Sequence, residues 1–289
     1  MTTKTIITLL GFVSLLLTGC DIKDPIYETS HPEQGKITFM TDWSNIGEGL
    51  TAPGSYTIKV GEYSTTADAA TYTPDNLFVP QDYRVYIHNT PGNITINDKT
   101  ASVAATTPPT KQTGTFIQNA PDWLFTCAMN ITIEKDRNHE LTAVMQQQVR
   151  QLTLVIELTG NTTKEIEGIT ATLSNAAGKL DIDNGILSAP SNVALTFSKD
   201  TDYKWLATIR LLGVTGTEQK LSGTISFTNK NLQAISFDSD LSTQLATFNN
   251  DKRTPLTLSG TVVETPTGAG FTGTITSWNK VERDPVVAN

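Results

Sequence analysis

The sequence predicts an all-β protein built from β-sandwiches, and three observations carry that prediction. Short runs that alternate apolar and polar residues recur along most of the 289-residue chain. Turn-forming residues separate them at intervals of about ten residues, the spacing of sandwich strands. Helical signal is confined to one short stretch. Period-2 alternation places one face of each run on a core and the other in water, and the abundant Thr suits the pleated surface through its branched Cβ. At roughly 100–200 residues per domain, the length predicts two domains, each able to bury a core.

The chain opens on a lipoprotein-type signal. Lys4 gives a positive start, Ile6 to Leu17 is apolar apart from Thr8, Gly11 and Ser14, and Leu17-Thr18-Gly19-Cys20 closes the segment. Small residues before a cysteine let a peptidase grip extended backbone, and the thiol offers a site for diacylglyceryl transfer. The apolar run covers about 18 Å as a helix, at about 1.5 Å per residue, short of the roughly 30 Å hydrocarbon core. The reading is therefore a signal over residues 1–19, with Cys20 as the lipidation site, rather than a spanning helix or an ordinary secretory leader. Two or more acyl chains hold a protein firmly where one does not. Residues 20–34, with Pro25 and Pro32 and mixed charge, read as a tether.

Strands follow at Lys36–Met40, Tyr56–Val60, Tyr83–His88, Asn130–Glu134 and Leu141–Val149. In the second half they fall at Leu152–Leu158, Ile169–Leu173, Val193–Phe197, Trp205–Leu212, Leu221–Phe227, Ala234–Phe237, Leu256–Val263 and Phe271–Trp278. Asn184-Gly185, between Leu180-Asp181-Ile182 and Ile186-Leu187, predicts a tight hairpin with positive φ at both central residues. Pro53-Gly54, Pro91-Gly92 and residues 267–270 mark further turns, and Pro74 and Pro80 flank a loop. Asn161–Ile166 predicts a single connecting helical turn, capped by Asn161 or Thr162 and stopped by Gly168. The polar step Met145–Gln151 places the domain boundary near Arg150: residues 35–150 form one domain and 151–289 the other. Neither Gly nor Pro interrupts this step, so the chain passes between domains in extended form.

Composition excludes several functions. A net charge of −8 repels phosphate backbones, which argues against nucleic acid, and it also argues against a polybasic lipid contact. Of two cysteines, lipidation of Cys20 leaves only Cys127, read as a small buried apolar residue. His139-Glu140 starts like a zinc-protease helix but lacks the second histidine and lies in strand-like sequence. His31 falls in the tether and His88 at a strand end, both in ordinary surface or turn roles. Asp181-Ile182-Asp183-Asn184-Gly185 has glycine one place early for a calcium loop and no closing glutamate. No nucleophile elbow or phosphate-cradling glycine loop occurs. No metal and no cofactor are expected, only a covalent lipid on Cys20, and the chain is read as a non-enzyme. Trp205 and Trp278 are assigned to the core, while Trp43, beside Asp42 and Ser44, is the candidate ligand contact.

Read together, several stretches resemble one family. They are the lipobox with its acidic tether Cys20–Pro25, the first strand and exit Gly35–Trp43, and the loop into a mid-domain strand Leu77–Thr90. The junction Met145–Leu152, the stretch Ile169–Gly178 and the closing Ile275–Trp278 complete the set. The chain resembles FimB/Mfa2-type or fimbrillin-like pilus components of Bacteroides-related bacteria, over most of its mature length. The resemblance implies two tandem transthyretin-like β-sandwich domains and assembly with other pilus subunits by donor-strand exchange, in which a lent strand adds to an open sheet edge. It also implies lipid attachment to the outer membrane at the cell surface. Stalk subunits of such pili lose an N-terminal strand after a basic residue. Lys23 and Lys36 lack an arginine-type cleavage context, which favours an anchor or accessory subunit. Pro285 interrupts the tail from Asn279 to Asn289 as a donor strand.

The first functional reading is a lipid-anchored fimbrial subunit that supports adhesion, with a host protein or glycan as a further candidate partner. The alternative is a surface glycan-binding lipoprotein of a polysaccharide-uptake system, which calls for exposed aromatics such as Trp43, Tyr56 and Tyr63 on one face. An enzyme with dispersed carboxylates is the third.

Overall fold

The alternating runs become strands. The structure is a computed structural model that describes residues 31, 33–107, 113–159, 165–201, 203–267 and 270–281. The first strands are β1 (Lys36–Asp42), β2 (Tyr56–Val60), β3 (Tyr63–Ala67), β4 (Thr71–Tyr72), β5 (Asp82–His88) and the hairpin β6 (Ile94–Asn97) and β7 (Thr100–Val103). Then come β8 (Ala105–Thr106), β9 (Phe116–Ile117), β10 (Phe125–Thr132), β11 (Asn138–Val144) and β12 (Gln146–Gln147). The second half contributes β13 (Arg150–Thr159), β14 (Ile166–Asp181), β15 (Leu187–Thr201), β16 (Lys204–Leu211), β17 (Lys220–Phe227) and β18 (Ile235–Asp240). A one-turn helix α1 (Ser242–Leu245) precedes β19 (Leu256–Thr267) and β20 (Gly270–Lys280).

Two apolar clusters organise these strands. Around the first, a 3-stranded sheet of order β11-β1-β4 faces a 5-stranded sheet of order β12-β10-β5-β2-β3. Ile37 and Phe39 meet Ile58, Val85, Ile87 and Phe125 between the two sheets. Around the second cluster runs a 12-stranded sheet whose main path is β18-β17-β14-β15-β16-β13-β19-β20. The path turns a corner inside β15, which pairs with β14 up to Phe197 and with β16 from Ser198 onward. A register shift between Lys199 and Thr201 accompanies the corner, as bulges do where strands change direction. The clusters do not follow chain order strictly. Ile94, Ala101, Val103, Ile117 and Leu124 precede Arg150 yet belong to the second cluster, because β7 extends the sheet at the far end of β14, where Leu180 lies opposite Ala101.

β13 is the central strand. It runs antiparallel to β16 and parallel to β19, and both of its faces are covered. Leu152, Leu154 and Ile156 point into the second cluster, while Gln151, Thr153 and Val155 on the other face are also buried. The chain reaches β13 through a polar seam. The Gln147 side chain accepts from the Gly47 amide at 2.8 Å and donates to the carbonyls of Val149 (2.8 Å) and Lys252 (2.5 Å). Lys252 Nζ donates to the Gln148 carbonyl at 3.1 Å. Arg253 donates to Asn45 Oδ1 at 2.9 Å, and Asn45 in turn bonds Gln146. Residues 45–47, 146–149 and 252–253 are thus knitted together.

Several local readings are corrected. Residues 160–164, most of the expected helical turn, lie outside the described residues; Glu165 is helical, Ile166 opens β14, and a register shift with β17 falls between Ile166 and Gly168. The helix that forms, α1, is too short to leave a periodic signal. The Asn184-Gly185 hairpin exists with a longer loop: Leu180 pairs with Leu187, the Asp181 amide bonds the Ile186 carbonyl, and only Gly185 takes positive φ, at 73°. His31, expected at the surface of the tether, is 9% exposed, 3.2 Å from the Gln34 carbonyl through Nδ1 and 4.0 Å from Asp136. Residues 1–30, which hold the signal, Cys20 and most of the tether, lie outside the described residues.

Two measurements test this packing. A Cβ on Gly223 would meet the Thr170 carbonyl at 2.6 Å as well as the Phe237 ring. Gly223→Ala should therefore cost about 1–3 kcal/mol by overpacking, read as a lowered thermal midpoint. Burial brings the Lys252 ammonium down from 10.5 to about 8. Between those values the unfolded chain binds the extra proton, so stability from this group rises with pH over about 8 to 10.5 and is flat below. The stability difference between wild type and Lys252→Met should move in favour of wild type across that window, and a pH series of melting curves reads it.

Candidate functional site

Sheets built from alternating strands end in edges, and an unpaired edge offers amides and carbonyls to another chain. One flank of the first sandwich is closed: the β3 and β4 sides meet there, where Thr65 and Tyr72 share a hydroxyl bond of 3.3 Å. The other flank differs. β11 pairs along its whole length with β1, and no ladder occupies its second edge among the described residues. β10 pairs fully with β5 on one side, but β12 covers only Phe125 and Thr126 on the other. From Cys127 to Thr132 that edge also lacks a ladder partner among the described residues. A turn through residues 133–137, with Asp136 at φ 55°, sends the two strands into opposite sheets rather than pairing them.

The side chains at this flank record the same incompleteness. Met129, Ile131 and Leu141 are directed at the first cluster yet only half-buried, and Val144 at the end of β11 is 39% exposed. A seven-residue edge such as β11 spans about 23 Å at about 3.3 Å per residue. Sequence reasoning identified both strands but not the free edges between them. The amphipathic pattern of Asn138–Val144 is the same whether its edge is paired or bare.

The residues singled out from sequence are scattered. Trp43 is half-buried, its ring edge-on to Phe125 (5.8 Å) and Tyr56 (6.3 Å), its indole N–H donating to Thr41 at 3.0 Å. Tyr56 is buried and donates its hydroxyl to the Ala69 carbonyl at 2.5 Å. Tyr63 lies elsewhere, at the β2–β3 turn, against Phe78. Trp205 and Trp278 are in the core, and the Trp278 indole donates to Ser239 at 2.6 Å. Cys127 is buried, which pushes its thiol pKa up. His88 is half-buried, which lowers its pKa. His139 sits in β11 and accepts from the Glu134 amide at 3.1 Å. Asp183 pairs with Arg84 at 2.5 Å and Asp181 with Lys99 at 3.6 Å, so the hairpin's carboxylates face cationic side chains. Among the described residues, no group of three or more His, Cys, Asp and Glu is placed to hold a metal, and no helix is long and apolar enough to cross a membrane. The start of the tail is used within the fold: Asn279 and Lys280 pair with β19, and the Val281 amide bonds the Thr257 carbonyl at 3.0 Å. Pro285 lies outside the described residues.

Comparison with known proteins follows from this architecture. A candidate adhesin from Bacteroides ovatus superposes with a TM-score of 0.56 at 15% identity, over 89% of this chain and 97% of that one. The fimbrial anchor protein Mfa2 from Porphyromonas gingivalis gives 0.57 at 11% identity, over 83% and 95%. A second Bacteroides ovatus candidate adhesin gives 0.59 at 9% identity, over 86% and 93%. At these identities the likeness is one of fold. The curated proteins contain no match. The sequence profile described as "Fimbrillin-A associated anchor proteins Mfa1 and Mfa2" matches residues 50–284. With that span and the shared all-β fold, the chain belongs to the family of fimbrillin-A associated anchor proteins.

Proposed function

We propose that this protein is a lipid-anchored fimbrial subunit of anchor or accessory type, which joins other pilus subunits by accepting one of their strands along the β10/β11 flank. Membership of the anchor family supports a fimbrial, non-enzymatic role in the cell envelope. The observation that carries the finer reading is the pair of unladdered edges flanking half-buried Met129, Ile131 and Leu141. An added strand gains main-chain hydrogen bonds from the edge and specificity from alternate side chains. It also covers apolar surface, at about 25 cal/mol per Å² removed from water. Cys20 carries the lipid in this reading, with residues 20–34 as the tether.

Two experiments test the two parts. Full-length protein in detergent should capture fimbrial subunits of its own organism. Val144→Lys and Thr142→Lys, both at exposed positions of β11, should weaken capture tenfold or more with little change in melting. Undiminished capture by both variants removes the flank from the proposal. Metabolic labelling with a fatty-acid probe should mark the wild type and not Cys20→Ser, which should leave the membrane fraction. An unlabelled wild type removes the anchor.

A further inference from the structure

Away from that flank, the first sandwich carries an open groove of about 710 Å³ at the end of the β2–β3 hairpin, running onto the outward face of β5. Its volume falls in the range of small-molecule sites. Three rings form its apolar wall. Phe78 is buried at the centre, with Tyr63 edge-on at 5.5 Å and Tyr83 edge-on at 5.9 Å, both half-buried. Gly61 supports this arrangement: it sits at φ 57°, and a Cβ there would lie 3.4 Å from the Tyr83 ring. Val79 adds an apolar side chain that is 57% exposed.

The polar wall is charged and balanced. Lys59, Arg84 and Lys99 line the groove together with Glu62, Asp82 and Asp98. The cations are already engaged: Lys59 with Asp98 at 2.5 Å, Arg84 with Asp183 at 2.5 Å, and Lys99 with Asp181 at 3.6 Å. Asp82 accepts from Thr132 at 2.5 Å. An anionic ligand would have to compete with the carboxylate already paired to each cation. A neutral polyhydroxylated ligand need not compete, because carboxylates and guanidinium groups retain lone pairs and N–H donors beyond those used in one ion pair. Its C–H faces would rest on the tyrosine rings and Val79, since tyrosine offers both an apolar body and a polar tip.

We propose that the groove bounded by Tyr63, Tyr83 and Val79 binds a neutral oligosaccharide. This site borders the β10/β11 flank, since Tyr83 lies opposite Ile131, but it shares no lining residue with β10 or β11 and stands whether or not strand addition occurs there. It also relocates glycan contact: Trp43 and Tyr56, the aromatics that drew attention in the sequence, are spent on internal packing, while Tyr63 remains at the groove.

The test is direct. Full-length protein in detergent is screened against immobilised neutral, sialylated and sulfated oligosaccharides, and hits are titrated calorimetrically. Binding is expected for neutral members, with affinity changing less than about twofold between low and high salt, since charge screening has nothing to act on. Val79→Asp, at an exposed position that leaves the fold intact, should weaken binding tenfold or more. Tyr83→Ala should do the same, while Tyr63→Phe, which keeps the ring, should retain binding within about threefold, or about 0.7 kcal/mol at about 1.4 kcal/mol per tenfold. The proposal is overturned if no neutral oligosaccharide binds, if only charged ones bind with strong salt dependence, or if Val79→Asp with unchanged melting binds as tightly as wild type.

Discussion

Everything in this fold depends on covering both faces of β13. Over Arg150–Ile156, where β13 is buried on both sides, polar side chains must find partners inside. Thr153 meets Thr208 across the ladder at 3.1 Å. Arg150, at the strand's first position, is 5% exposed, and burial lowers its pKa. Its guanidinium donates to the carbonyls of Phe248 and Thr254, each at 2.7 Å, and lies 5.0 Å from the Phe248 ring centroid. A buried cation is tolerated only when its donors are satisfied. The loop between α1 and β19 is therefore held where its carbonyls can serve Arg150, and the same loop supplies Lys252 and Arg253 to the seam with residues 45–47 and 146–148.

This seam explains how a long all-β chain holds its two clusters in a defined relation. Side-chain amides are suited to the task because each presents a donor and an acceptor, and Gln147 uses both. Further ties lie beside it. Arg210 pairs with Asp122 at 2.7 Å and lies 5.6 Å from the Trp123 ring centroid, and Trp123 packs against both clusters. Arg84 of β5 reaches Asp183 in the β14–β15 loop.

Much of the architecture was legible in the chain. Most of the longer strands fall on runs where apolar residues alternate, because a half-buried strand writes its two environments directly into the sequence. Tryptophans 205 and 278 and Cys127 are buried as their apolar contexts imply. The errors have physical causes. β6 and β7 are short and carry too few apolar residues to stand out, yet they extend the second sheet. α1 spans one turn. Asn184-Gly185 marks its hairpin correctly, but the loop length is decided by the register of β14 on β15. Trp43, the candidate ligand contact, is half-buried with its ring edge-on to Phe125 and Tyr56.

What the sequence by itself determined is which segments are extended, which face of each is apolar, and where polar residues break the pattern, since all three depend on neighbours within a few positions. What only the tertiary structure decided is which strands are neighbours. The parallel pairing of β1 with β11 and of β13 with β19 joins residues far apart in the chain, and the corner in β15 and the β10 and β11 edges without a ladder among the described residues follow from such pairings. Backbone hydrogen bonds between strands carry no side-chain identity, so alternation specifies the face of a strand and leaves its partner open until the whole core is packed.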